Sequence, residues 1–227
     1  MKNILARGGI EFLAVFLGIA LSLWVDDYRE SREINVRLFD DYQKIHSEVK
    51  SNIQNIRNII KKNKDILITE RYLLDVLDGK KSYEQNEIYG KIYSIVSPTF
   101  FGMTSAYKTS VSSGRFNFPE QSAIIKEVSL LYEHYFSRLS LNGDLFDNRM
   151  HDFKYDFSLP FFKPNYVKDN NDSIKLKDYF FSDRFYNGLL YCHDFRKIYY
   201  MDRLVETESQ LLKVDKVFKS YFASNSI

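Results

Sequence analysis

Apolar residues along this chain recur at helical spacing, with little of the alternation that marks strands. They fall at Leu38, Tyr42, Ile45, Val49, Ile53, Ile56, Ile60 and Leu67, in steps mostly of three and four, so they share one helix face. Asn63 takes one position of that seam. No Pro or Gly occurs between Leu21 and Asp78, and Asp78-Gly79 supplies a C-terminal stop. The stripe suits a coiled-coil seam or a docking face, and the aromatic-rich chain that follows favours docking.

Further helices follow from the same signals. Ser82-Tyr83-Glu84-Gln85 fits a capping box ahead of Ile88, Ile92 and Ile95, with a stop near Pro98. Thr104 is placed to cap a short helix ended by Gly114. Pro119 suits the first turn of another, carrying Ile124, Ile125, Val128, Leu131, Tyr132 and Tyr135 and stopping at Asn142-Gly143. Phe157 to Ser173 holds Pro160, Pro164 and a polar run, and reads as an irregular connection. Ser182 opens a long last helix with Phe185, Leu189, Cys192, Phe195, Tyr199, Leu211, Val214 and Phe218.

The N-terminal segment has a different pattern. Phe12 to Val25 is uncharged, and with Gly8 to Glu11 it nears the ~20 residues that cross a bilayer core. Trp24 and Tyr28 are interface anchors for such a span. Lys2 and Arg7 precede it and Asp26 and Asp27 follow, which puts residues 1–9 in the cytoplasm, a transmembrane helix at 10–28 and residues 29–227 outside. A cleaved signal peptide around Ala20-Leu21-Ser22 and a buried helix are the rivals. Ala14, Gly18 and Ser22 recur every four residues, with Glu11 on the same stripe and Arg7 placed to pair with it. Glu11, Ala14, Gly18 and Ser22 are therefore candidate contacts to another membrane helix.

Composition adds limits. The net charge of +2 lacks the basic excess of a nucleic-acid binder, and Lys61, Lys62 and Lys64 read as a solvated face. With a single cysteine, Cys192, no intramolecular disulfide forms. His46, His134, His151 and His193 show no metal-ligand spacing, and Cys192, His193 and Asp194 fan out around a helix. Glu133-His134 lacks the second histidine of a zinc-protease helix, and no phosphate loop, dinucleotide fingerprint or nucleophile elbow is present. No catalytic residue, cofactor or metal is assigned, and no enzyme is expected.

Outside the N-terminal segment the most informative feature is Ser112-Ser113-Gly114-Arg115, with Tyr107 upstream and Phe116 and Phe118 after it. One reading is a contact loop carrying a cation; the other is a helix stop with Gly114 left-handed and the aromatics in the core.

Two of these segments also resemble a known family. Glu11 to Glu30, with Glu11, Gly18-Ile19, Tyr28 and Glu30, is similar to the opening of small single-span membrane proteins of unknown function common in Bacteroidetes, although Asp26 and Asp27 stand where Asn is usual there. Ser105-Ala106-Tyr107 with Ser112 to Phe116 looks like the family's Ala-Tyr and Ser-Ser-Gly-Lys-Leu pattern, and Ser182 to Asn187 is a weaker third match. The resemblance implies a membrane-anchored helical protein and no activity.

The expected fold is mainly α: an N-terminal transmembrane helix, a long continuing amphipathic helix, and a helical bundle closed by a long C-terminal helix returning along the first. The expected role is an interaction protein at the bacterial inner membrane, its periplasmic domain contacting a partner protein or other copies. A small-ligand sensor-like domain and an oligomeric effector with Glu11 lining a pore are the alternatives.

Overall fold

In a computed structural model of the chain, the backbone is described for residues 2–116, 122–162 and 170–225, and the side chains of residues 2–11, Ala14, Ser122, Phe162 and 170–173 lie outside the description. The described residues are almost wholly helical, with no strand among them. The helices are α1 (Lys2–Leu77), α2 (Gln85–Ser94), α3 (Ser105–Ser112), α4 (Ser122–Ser129), α5 (Ser137–Phe153), α6 (Asn170–Phe180), α7 (Asp183–Asp194) and α8 (Met201–Ser224). A π-helical turn, Leu130–Phe136, joins α4 to α5, and another, Phe195–Tyr200, joins α7 to α8 without a break.

The transmembrane helix is overturned. Among the described residues no helix is long and apolar enough to cross a membrane. The uncharged run Phe12 to Val25 is 14 residues, about 21 Å of helix against a core of about 30 Å, and Asp26 and Asp27 follow in the same helix.

By packing, the described chain forms two units, and α1 contributes to both. The first comprises residues 1–46 and 105–120, with its core at Leu38, Tyr42 and Ile45 of α1 and at Tyr107 and Phe116. The second comprises residues 47–104 and 121–227. Here the α1 stripe continues through the buried Val49, Ile53, Ile56 and Ile60. It then shifts by one residue: Ile66 is buried where Leu67 was expected, followed by Leu73 and Leu74. In this unit α7 and α8 return antiparallel to α1, since Arg57 pairs with Glu208 at 2.8 Å and Glu70 with Arg196 at 3.0 Å. Helix α4 packs on α8, where the Gln210 side chain donates to the carbonyl and carboxylate of Glu127 at 3.1 and 3.0 Å.

Several boundaries differ from the sequence reading for physical reasons. Asn142-Gly143 does not stop a helix. It lies inside α5, where Gly143 sits buried against Thr99 and Tyr200 and Asn142 donates to its own i−4 carbonyl, that of Arg138, at 2.8 Å. The box at Ser82 does not form: the N-cap of α2 is Glu84, without a side-chain cap bond, and the helix ends at Ser94. The connection from Phe157 is helical to Phe162 and again from Asn170, while Pro164 and Lys168 lie outside the described residues, as does the start at Pro119. The cap at Ser182 forms as expected, its hydroxyl accepting from the Phe185 amide at 3.3 Å. The π turns at Leu130–Phe136 and Phe195–Tyr200 each move the buried face by one residue. Phe136 is buried where Tyr135 was expected, and Arg196 and Tyr200 where Phe195 and Tyr199 were. In a π turn the i→i+5 bonds spread each turn over more residues, so buried positions follow at successive steps of four.

Candidate functional site

The candidate contact loop is a clamp within the first unit. α3 ends at Ser112, and Gly114 takes φ +74°, the left-handed region that spares a residue without Cβ. The amides of Ser113 and Gly114 donate to Thr109 and Val111 carbonyls at 3.1 and 3.0 Å, closing the helix end. The chain then turns so that Phe116 meets Tyr107 and Tyr42 edge-on, with ring centroids 5.1 and 6.3 Å away. Arg115 grips Asp41 of α1 with two donors at 2.9 and 3.3 Å, and Ser110 donates to the same carboxylate at 3.0 Å. Asp41 holds the Arg115 guanidinium above its ordinary pKa. The cation is thus committed to α1. Ser113, Gly114 and Arg115 also edge an open cleft of about 370 Å³ with Glu30, Glu33 and Arg37, of which Glu33 and Arg37 pair with each other. Ser112 is exposed, its hydroxyl donating to the Thr109 carbonyl at 3.0 Å.

The apolar stretch of α1 in this unit lies open. Phe12, Val15, Phe16, Ile19, Leu23 and Trp24 are all exposed, at 70% for Phe12 and 65% for Trp24. The exposure is on every face, since Leu13, Leu17 and Leu21 are exposed as well. Trp24 and Tyr28, the expected anchors, stack on each other with centroids 6.2 Å apart. Gly18 and Ser22 are exposed, and a Cβ at Gly18 would meet nothing within 4 Å. The side chains of Glu11 and Ala14 lie outside the described residues.

Sequence reasoning missed a buried polar seam in the second unit. The segment from Ile95 to Thr104 is irregular, so its backbone groups need partners from elsewhere. Asn52 supplies both kinds, donating to the Met103 carbonyl at 2.9 Å and accepting from the Met103 amide at 2.8 Å. Asn63 donates to the Pro98 carbonyl at 2.9 Å, and the Phe100 amide donates to the Tyr200 hydroxyl at 2.9 Å. Arg196, wholly buried, donates to the Val96 carbonyl at 2.8 Å, to Asn63 Oδ1 at 2.6 Å and to Glu70 Oε1 at 3.0 Å, with its Cζ 4.8 Å from the Phe146 ring centroid. Burial pushes the Arg196 guanidinium below its ordinary pKa, and Glu70 opposes that shift. His193 Nδ1 and Glu70 Oε2 face each other at 3.5 Å, and neither has a hydrogen-bond partner among the described residues. Gly102 allows the segment to pass close to α4's continuation, since a Cβ there would meet the Phe136 ring at 2.7 Å. The only signal in the sequence was the polar Asn63 in an apolar seam.

This arrangement holds backbone and presents no nucleophile. Burial pushes the Cys192 thiol up to about 12, so the sulfur stays protonated. Burial likewise pushes the Tyr200 phenol up to about 12. Among the described residues no three His, Cys, Asp or Glu side chains gather as a metal site.

The fold is thus that of an all-helical protein with a braced irregular segment and one uncovered apolar helix end. The chain belongs to a family of unknown function, DUF6090, whose model matches residues 10–182. That span takes in the first two segments on which the resemblance rested and ends where the third begins. No curated protein and no solved structure matches.

Proposed function

We propose that this protein is a helical interaction protein, and that the apolar stretch of α1 is its contact surface for a partner protein or other copies. The observation that carries this reading is the exposure of Phe12 to Trp24 around the whole helix. A helix apolar on all faces is normally buried on all faces, and a patch of this extent marks a contact. Phe101 supports the reading from the second unit. It is 73% exposed, although Asn55 anchors its carbonyl at 3.2 Å, so an aromatic is presented on braced backbone. The inner-membrane address, the periplasmic domain and a source in the Bacteroidetes are part of the same proposal, supported by the N-terminal resemblance. In this reading the stretch lies among the helices of its partners.

Mild detergent extraction of the tagged chain at native abundance, with sizing and identification of what accompanies it, is the test. A defined complex is expected. Gly18→Leu should weaken that complex several-fold while leaving the fold intact, because a Cβ at this exposed position meets nothing within 4 Å. A monomer, or a complex indifferent to both Gly18→Leu and Phe16→Ser, would overturn the contact.

A further inference from the structure

A groove of about 400 Å³ opens beside the last turns of α1 in the second unit. Its apolar side is formed by Leu67, the exposed Ile68 and the ring of Tyr72. Four cations surround it and come from four places in the chain: Arg71 from α1, Lys81 from the turn after it, Lys91 from α2 and Lys197 from the π turn after α7. A run of like charge on one helix is a solvated face, but convergence from four segments is made by the fold. One carboxylate, Asp75, stands among them in the lining, and Glu87, with Glu84 farther off, lies against Tyr72 beside it.

Two of the cations crowd one ring. Lys81 Nζ lies 4.3 Å and Lys91 Nζ 4.1 Å from the Tyr72 centroid. Attraction to the ring offsets only part of the cost of gathering like charges there. Glu87 answers Lys91 at 3.4 Å, whereas Arg71, Lys81 and Lys197 have no ion pair among the described residues. His193 also lines the groove, buried, with the unpartnered Nδ1 described above.

We propose that this groove binds a small amphipathic anion, a carboxylate or phosphate monoester on a short aliphatic chain. The head group sits among Lys81, Lys91 and Lys197, and the chain lies over Leu67 and Ile68. None of these residues belongs to the apolar stretch of α1 or to the segment bearing Phe101, so this site and the contact reading stand or fall separately.

The test is calorimetric titration of the full chain, in a neutral sugar detergent, with octanoate and hexyl phosphate. Each is expected to saturate at one equivalent. Lys81→Glu combined with Lys197→Glu should weaken both at least tenfold, and Ile68→Asp should do the same from the apolar side. Lys61→Glu combined with Lys64→Glu, an equal change of charge at exposed positions of α1, should leave both unchanged. The absence of saturable binding would overturn the proposal. So would octanol binding as tightly as octanoate, inorganic phosphate binding as tightly as hexyl phosphate, or equal weakening by the control pair. Vesicles of phosphatidylglycerol in phosphatidylcholine then separate the sources of the head group. Sedimentation that depends on Lys81 and Lys197 assigns it to a bilayer lipid, and octanoate binding without sedimentation assigns it to a free solute; both support the shared chemistry.

Discussion

Arg196 shows what a single residue does in this fold. It is wholly buried, yet its guanidinium is spent on Glu70, Asn63 and a carbonyl of the irregular segment. Removing one member of a buried pair leaves the other as an uncompensated charge, which typically costs about 3–5 kcal/mol. Arg196→Met should therefore lower the unfolding free energy by about that amount, read by urea denaturation. Combining it with Glu70→Leu should recover a large part of the loss. If Arg196→Met alone costs under about 1 kcal/mol, the seam does not brace the segment. No local pattern reveals this role, since an arginine in a run of aromatics has the same identity whether its head group is solvated or sunk into the core.

At the scale of elements, the π turns decide which side chains face inward. The periodicity of α7 and α8 pointed to Phe195 and Tyr199, and the wider turn buries Arg196 and Tyr200 in their place. The exposed Ile198 lies within that turn. Deleting Ile198 should convert it to regular helix and keep a cooperative thermal transition, because the turn carries the extra residue. Deleting Val205, exposed in the regular part of α8, should rotate the rest of that helix off its face and abolish the transition. Circular dichroism melts distinguish the two, and equal loss in both variants would refute the account. Asn142-Gly143 makes the converse point. Its turn signal is local and weak, and burial of Leu139, Phe146 and Met150 on one continuous face outweighs it.

At the scale of the whole molecule, each unit has its own core and its own polar brace. In the first unit the clamp of Arg115 on Asp41 ties residues 105–116 to α1. Arg115→Ala should speed amide hydrogen exchange across α3 and the Gly114 turn, with exchange in residues 47–77 unchanged. Uniform acceleration through both units would show that they do not open separately, and no change at all would show that the clamp contributes nothing.

What the sequence determined by itself is what depends on near neighbours. Helical spacing placed Leu38 to Ile60 on a buried face, Gly114 marked a left-handed stop, and Ser182 capped α7. Each follows from atoms within about one turn, which the order of residues fixes directly. Even the length of the apolar N-terminal run was legible, although its reading as a span was corrected. Only the tertiary structure decided what the polar residues do. Asn52, Asn63, Arg196 and Arg115 find partners 35 to 133 positions away, and no local pattern encodes which backbone groups will be left without a helix or sheet to satisfy them.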